Sequence, residues 1–265
     1  MIHALHYTKL GRGPKPLLAF HGIGQTGLTC FEPFATSLSE HYTVFAFDLP
    51  FHGHNAGSPF TAISKSTLKE QIAAFLKREN ILRFDVAGFS IGGRFAMVTL
   101  EAFPDQIDNA FLIAPDGITE NPLYNLATRY IIPQKIFRWS MQHPAPFFTS
   151  IRFLQKAGLL NKSIVRFTEQ VLDTPEKRSA LYKSWIAFSP LKFNIPKLHA
   201  LALKNNIIMT LFTGKYDKIL KPEQAAPLAR LLPENQVVIF KNGHGQLVEQ
   251  AGTWISALLS KLSDT

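Results

Sequence analysis

The chain has 265 residues, 46% hydrophobic and 18% charged, which excludes a disordered polymer and supplies enough apolar surface for a sizeable core. Its single cysteine, Cys30, excludes an internal disulfide, and no run approaches the roughly 18 apolar residues of a membrane span. The formal net charge is +9, so the position of that charge decides between an acidic ligand, nucleic acid and a merely solvated surface.

The first ten residues lack a basic segment followed by an apolar one, so no signal peptide is expected and the default compartment is the cytoplasm. Ile2 to Leu10 reads as an edge strand, and Gly11-Arg12-Gly13-Pro14 as turn punctuation. Pro16 to Phe20 is a short apolar strand ending in His21-Gly22-Ile23-Gly24. Thr29 to Glu40 spaces Phe31, Phe34, Ala35 and Leu38 as one face of a helix, with Cys30 as a small buried hydrophobe. A strand over Thr43 to Phe47 leads into Asp48-Leu49-Pro50-Phe51-His52-Gly53-His54-Asn55, and Ser66 is expected to cap a helix running to about Asn80.

Phe84 to Phe89 is an apolar run of buried-strand length. It narrows to Gly88-x-Ser90-x-Gly92-Gly93 and continues into a helical stretch from Arg94 to Leu100. A serine on a tight strand-to-helix turn is strained and presented outward, and glycines flank it because a Cβ would strike the neighbouring backbone. The following helix start favours negative charge, and the Ile91 N–H can meet an oxyanion.

Ala110 to Ala114 is a further strand, closed by Pro115-Asp116-Gly117. From about 119 to 200 the chain has helical patches without strand–helix alternation. Alternation then resumes with a strand at Ile207 to Thr213, a helix at Pro222 to Leu232, a strand at Gln236 to Phe240 and a closing helix at Leu247 to Leu262. The pattern predicts an α/β fold, a mostly parallel central sheet with helices on both faces. Residues 1–118 and 201–265 form the core, and 119–200 form an inserted helical cap at the carboxyl edge of the sheet, where ligands bind in such folds.

Asp217 and His244 each follow a strand end, giving the chain order Ser90, Asp217, His244. A hydroxyl needs an adjacent base at neutral pH, imidazole has the right intrinsic pKa, and a carboxylate fixes its tautomer. On these motifs the chain resembles the α/β-hydrolase-fold family over nearly its whole length: His21 to Gly24, Asp48 to Asn55, Gly88 to Gly93, Gly214 to Asp217 and Gly243-His244. The resemblance implies Ser90 as nucleophile, His244 as base, Asp217 as acid, and the backbone N–H groups of Ile23 and Ile91 as an oxyanion hole. Asp116 also follows a strand and is the rival acid. His21, Asp48, His52 and His54 are expected to hold loops. The His-x-His at 52 and 54 has no partner at metal-ligand spacing, so no metal and no cofactor are expected.

The segment 119–200 holds twelve lysines and arginines against four acids, an excess of eight, together with many aromatics. Basic outer faces over aromatic inner faces account for most of this. Trp139 and Trp185 are candidates to line a substrate pocket, with an acidic or acyl-chain ligand as the partner. No nucleic-acid motif accompanies the charge, and neither nucleic-acid partners nor stable membrane association are expected. The combined reading is a cytoplasmic serine hydrolase acting on an ester, thioester or related acyl bond of a small molecule. The alternatives are a cofactor-free lyase, a C–C bond hydrolase, and a ligand-binding receptor on the same fold.

Overall fold

A computed structural model describes residues 4–263. The strands are β1 (Tyr7–Leu10), β2 (Lys15–Phe20), β3 (Tyr42–Phe47), β4 (Phe84–Phe89), β5 (Ile107–Ile113), β6 (Ile208–Gly214) and β7 (Val237–Phe240). They form one sheet in the order β1-β3-β2-β4-β5-β6-β7. β1 is antiparallel to β3, and every other neighbouring pair is parallel. Parallel strands joined by helical crossovers bring their carboxyl ends to one edge. That edge therefore receives His21, Asp48, Ser90, Ala114, Asp217 and His244, each just beyond its strand.

Adjacent residues of a strand point to opposite faces. On β2, Leu18 and Phe20 enter one core and Leu17 and Ala19 the other. The first core is covered by α2 (Lys65–Arg78), α3 (Gly92–Ala102), α9 (Ile195–Lys204) and α10 (Pro222–Ala229), and the second by α1 (Gly27–Ser37) and α11 (Leu247–Ser263). Between β5 and β6 the chain also forms α4 (Pro122–Arg129), α5 (Ile131–Gln142), α6 (Pro144–Lys156), α7 (Lys162–Val171) and α8 (Pro175–Phe188).

Element boundaries differ from expectation where two local signals compete. α1 starts at Gly27 because Thr26 and Thr29 cap each other reciprocally. α2 is capped by Ser64, whose hydroxyl accepts the Thr67 N–H at 3.0 Å, so Ser66 lies inside the helix. The first strand begins only at Tyr7, and Ile2 and His3 lie outside the described residues. The return to the core precedes residue 200. α9 begins at Ile195, is capped by Asn194 and buries Leu198 and Ala202 against the sheet, while Phe188 of α8 packs edge-on against Phe95 of α3.

One buried cation ties the inserted helices to the core. Arg94 of α3 is fully buried one turn beyond Ser90. Its Nε donates to Asp116 Oδ2 at 2.6 Å, and Nη1 and Nη2 donate to the two Glu120 carboxylate oxygens at 2.9 and 3.1 Å. Nη1 also reaches the Leu191 carbonyl at 2.7 Å, and the guanidinium lies 4.8 Å from the Tyr124 ring centroid. Removing the cation leaves two half-buried carboxylates side by side and the Leu191 carbonyl without its donor. Arg94→Met should therefore lower the unfolding free energy by about 3 kcal/mol in urea titrations. A loss below about 1 kcal/mol would mean that the cluster contributes little net stability.

Candidate functional site

Ser90 stands at φ 53°, in the left-handed region that non-glycine residues rarely adopt. The conformation is held on both sides: the Ser90 N–H donates to Ile113 O at 3.0 Å, and the Ser90 carbonyl accepts from Gly93 N at 2.9 Å and Asp116 N at 2.8 Å. Gly92 is required because a Cβ there would run into the Phe20 carbonyl of β2. α3 begins at Gly92, with Ile91 as its N-cap, so the positive end of the helix faces the serine. The turn is strained as expected, but Ser90 is only 6% exposed, because the inserted helices cover the sheet edge.

Asp217 and His244 are brought together. The turn after β6 and the loop after β7 are tied by Lys215 N to Phe240 O at 2.8 Å and Tyr216 N to Asn242 O at 3.1 Å. Gly214 permits this approach, since a Cβ would meet the Asn242 carbonyl at 2.6 Å. His244 Nδ1 lies 2.6 Å from Asp217 Oδ2, with both side chains buried. Asp217 Oδ1 accepts the N–H groups of Ile219 and Leu220 at 2.8 and 3.0 Å, which fixes the carboxylate plane. The imidazole packs against Phe89, tilted at 4.8 Å between centroids, and against Phe167, edge-on at 5.9 Å. A carboxylate on Nδ1 leaves Nε2 as the acceptor. Asp116, the rival, is committed to Arg94.

The turn at Gly22 to Gly24 is held by buried histidines. The N–H of Leu49 donates to His21 Nε2 at 2.9 Å, so His21 Nδ1 carries the proton and donates to the Gly22 carbonyl at 2.6 Å. The Gly24 N–H donates to His52 Nε2 at 3.3 Å, while His52 Nδ1 donates to the Pro50 carbonyl at 3.0 Å. Burial, reinforced by the neighbouring His52, pushes the His21 imidazole down to about 3, and burial lowers His52 as well. His54 finds partners that spacing did not suggest. Asp48 Oδ2 accepts from His6 Nδ1, His54 Nδ1 and the His54 N–H at 3.1, 3.2 and 3.0 Å, and the two imidazoles stack at 3.8 Å. Asp48 Oδ1 accepts the Gly27 N–H at 2.8 Å, so this carboxylate pins the 48–55 loop to the start of α1.

Ser90 and His244 line one cavity of about 320 Å³, with Ile23, Phe89, Phe167 and Val171 as its apolar walls. Phe167 and Val171 come from α7, and the sequence reading singled out neither. Trp139 and Trp185 do not line this cavity. Trp139 is half exposed and stacks on His143 at 5.0 Å. Trp185 packs between Tyr124 and Phe137, each about 5.2 Å away. Trp139 lies on α5 and Trp185 on α8, and Trp185 packs instead against the cluster of Met141, Val171, Leu172 and Leu181. Lys177 is the cation at the cavity, and its ammonium is already engaged by Asp173 at 2.9 Å and the Gln170 carbonyl at 3.2 Å.

A family model described as the alpha/beta hydrolase fold matches residues 15–251. The chain belongs to this family. Among solved structures, a thermophilic esterase from Thermogutta terrifontis superposes with a TM-score of 0.72 at 16% identity, covering 98% of this chain and 93% of that one. A meta-cleavage product hydrolase from Pseudomonas fluorescens IP01 superposes at 0.65 with 17% identity, covering 97% and 94%. At such identities the likeness is one of fold. Among curated relatives, the abhydrolase domain-containing protein abhd-5.2 of Caenorhabditis elegans is 26% identical over 155 residues, which are 57% of this chain and 33% of that protein. The chain thus spans about a third of the length of the curated relatives it matches first.

The buried histidines make stability depend on pH. His21 stays neutral in the folded α/β hydrolase down to about pH 3, whereas an unfolded histidine takes up a proton below about 6.5. Between these values the unfolded state binds more protons, so stability falls as pH falls, by about 2 kcal/mol from His21 alone at pH 5. His21→Gln should flatten the dependence of unfolding free energy on pH by about one proton between roughly pH 4 and 6. An unchanged slope would show that His21 titrates normally in the folded protein.

Proposed function

We propose that the protein is a cofactor-independent serine hydrolase that cleaves an ester, thioester or related acyl bond of a small substrate with an apolar acyl group. The observation that carries this reading is the 2.6 Å contact between His244 Nδ1 and Asp217 Oδ2, on a histidine that shares its cavity with Ser90. A binding module needs neither the base nor the acid that orients it.

In the proposed reaction His244 Nε2 removes the Ser90 hydroxyl proton as Oγ attacks the carbonyl carbon. The carbonyl electron pair moves onto oxygen, where the N–H groups of Ile23 and Ile91 stabilise it. Each such donor is worth roughly 3 to 4 kcal/mol in the transition state. Collapse of the tetrahedral species expels the alcohol or thiol, which takes the proton from His244 and leaves an acyl group on Ser90. Water, deprotonated by the same imidazole, repeats the sequence and frees the acid. Asp217 stays ionised and supports the imidazolium.

The cavity lining supports an apolar acyl group over an acidic one. Ile23, Phe89, Phe167 and Val171 give it hydrocarbon walls, and Lys177 is neutralised by Asp173. Most of the cap's cations lie away from this wall.

The test is hydrolysis of p-nitrophenyl esters of increasing chain length, with a meta-cleavage product as a C–C bond substrate. Ester turnover should vanish in Ser90→Ala. It should fall by roughly 10⁴ in Asp217→Asn, where the wrong tautomer is favoured, while Asp116→Asn should retain kcat near wild type in the fraction that remains folded. Equal kcat/KM for Asp217→Asn and wild type would remove Asp217 from the role. Turnover of the carbon–carbon substrate alone would place the reaction in the C–C bond hydrolase class.

A further inference from the structure

From Asn121 to Thr168 the chain contains seven lysines and arginines and no aspartate or glutamate. The helices in this stretch leave much of their apolar surface uncovered. α4 buries only Tyr124, α5 buries only Met141, and α6 has no buried residue. A helix packed on one side normally hides its apolar stripe. Here the inward side is already supplied, since Phe137, Phe147 and Phe148 pack against the cluster formed by Met141, Val171, Leu172 and Leu181. A second apolar set therefore faces outward.

On α5, Ile132, Ile136 and Trp139 follow one another at four and three residues and share a face. They are 73%, 61% and 50% exposed. Leu123 of α4 and Phe153 of α6 are 71% and 69% exposed. Lys135 and Arg138 lie on the same helix between these residues, and both are exposed. Isolated exposed hydrophobics are ordinary, but a set spread over three successive helices and interleaved with one sign of charge is not.

We propose that the outer face of α4–α6 docks reversibly on an anionic lipid surface. The lysines and arginines meet the headgroups, and Ile132, Ile136 and Trp139 enter the boundary with the acyl chains, as an interfacial amphipathic helix does. The charge selects this occupant over a second copy of the chain. A two-fold dimer through this face would set Lys135 and Arg138 against their own copies, since the acids flanking the stretch, Glu120 and Glu169, are already paired with Arg94 and Arg152. Among the described residues no helix is long and apolar enough to cross a membrane. The inference does not depend on the reaction proposed above.

The experiment is co-sedimentation of the full chain with vesicles of phosphatidylcholine alone and of phosphatidylcholine mixed with phosphatidylglycerol, at low and high salt. Wild type should bind the mixed vesicles, bind the neutral ones far more weakly, and be released by salt. The double variant Ile132→Glu, Ile136→Glu should bind about tenfold more weakly while keeping the wild-type circular-dichroism spectrum and thermal midpoint. Lys135→Gln with Arg138→Gln, two exposed polar changes that leave folding untouched, should also weaken binding to the anionic vesicles. Wild type that ignores the anionic vesicles, or either double variant binding as wild type does, would overturn the proposal. So would a dimer in sedimentation equilibrium that the Ile132→Glu, Ile136→Glu variant dissociates, because a second copy would then be the occupant.

Discussion

The structure depends on a strained serine that its surroundings leave no room to relax. An L-residue in the left-handed region costs about 1–2 kcal/mol, and Ser90 stays there because three backbone hydrogen bonds and the close passage of Gly92 past Phe20 define the turn. The all-buried strand β4 fixes the entry, and α3, buried along most of its length, fixes the exit. Strain at this point sets the serine at the carboxyl edge of the sheet and aims a helix N-terminus at it. The neighbouring strand ends bring the other groups to the same edge.

Arg94 extends that constraint outward. It lies on α3 just beyond the turn, and its partners Asp116, Glu120 and Leu191 sit at the root and the return of the inserted helices. Asp116 is also bonded through its N–H to the Ser90 carbonyl. One buried cation thus links the backbone of the elbow to the segment that closes over it. The same charge engages Asp116, whereas Asp217 is the carboxylate that meets His244.

Much of the core was legible because its signals are local. Each strand after β1 is a largely apolar run with a glycine or proline near its end, and Ser90, Asp217 and His244 each lie within a few residues of such an end. A parallel sheet converts those separate sequence positions into one edge without further information. The choice between Ser64 and Ser66 as a cap was not legible, since both hydroxyls are competent and only the start of the helix decides. The cavity wall was not legible either. Phe167 and Trp139 both sit on amphipathic helices, and which ring faces Ser90 is set by how α5, α7 and α8 pack. Arg94 did leave a signal, as a lone cation in the apolar run Gly92-Gly93-Arg94-Phe95-Ala96-Met97-Val98, which marks a charge that must find buried partners. His6 left none, because its partner Asp48 lies on another strand end and only the pairing of β1 with β3 brings them together.

The central claim is that Ser90, His244 and the turn at Ile23 act on one reacting carbon. A crystal structure of the protein after reaction with a p-nitrophenyl phosphonate tests it directly, because the adduct imitates the tetrahedral species. The account predicts phosphorus bonded to Ser90 Oγ, with the phosphonyl oxygen about 2.7–3.1 Å from the N–H nitrogens of both Ile23 and Ile91. Phosphorus on another side chain, or a phosphonyl oxygen turned away from both N–H groups, would contradict it.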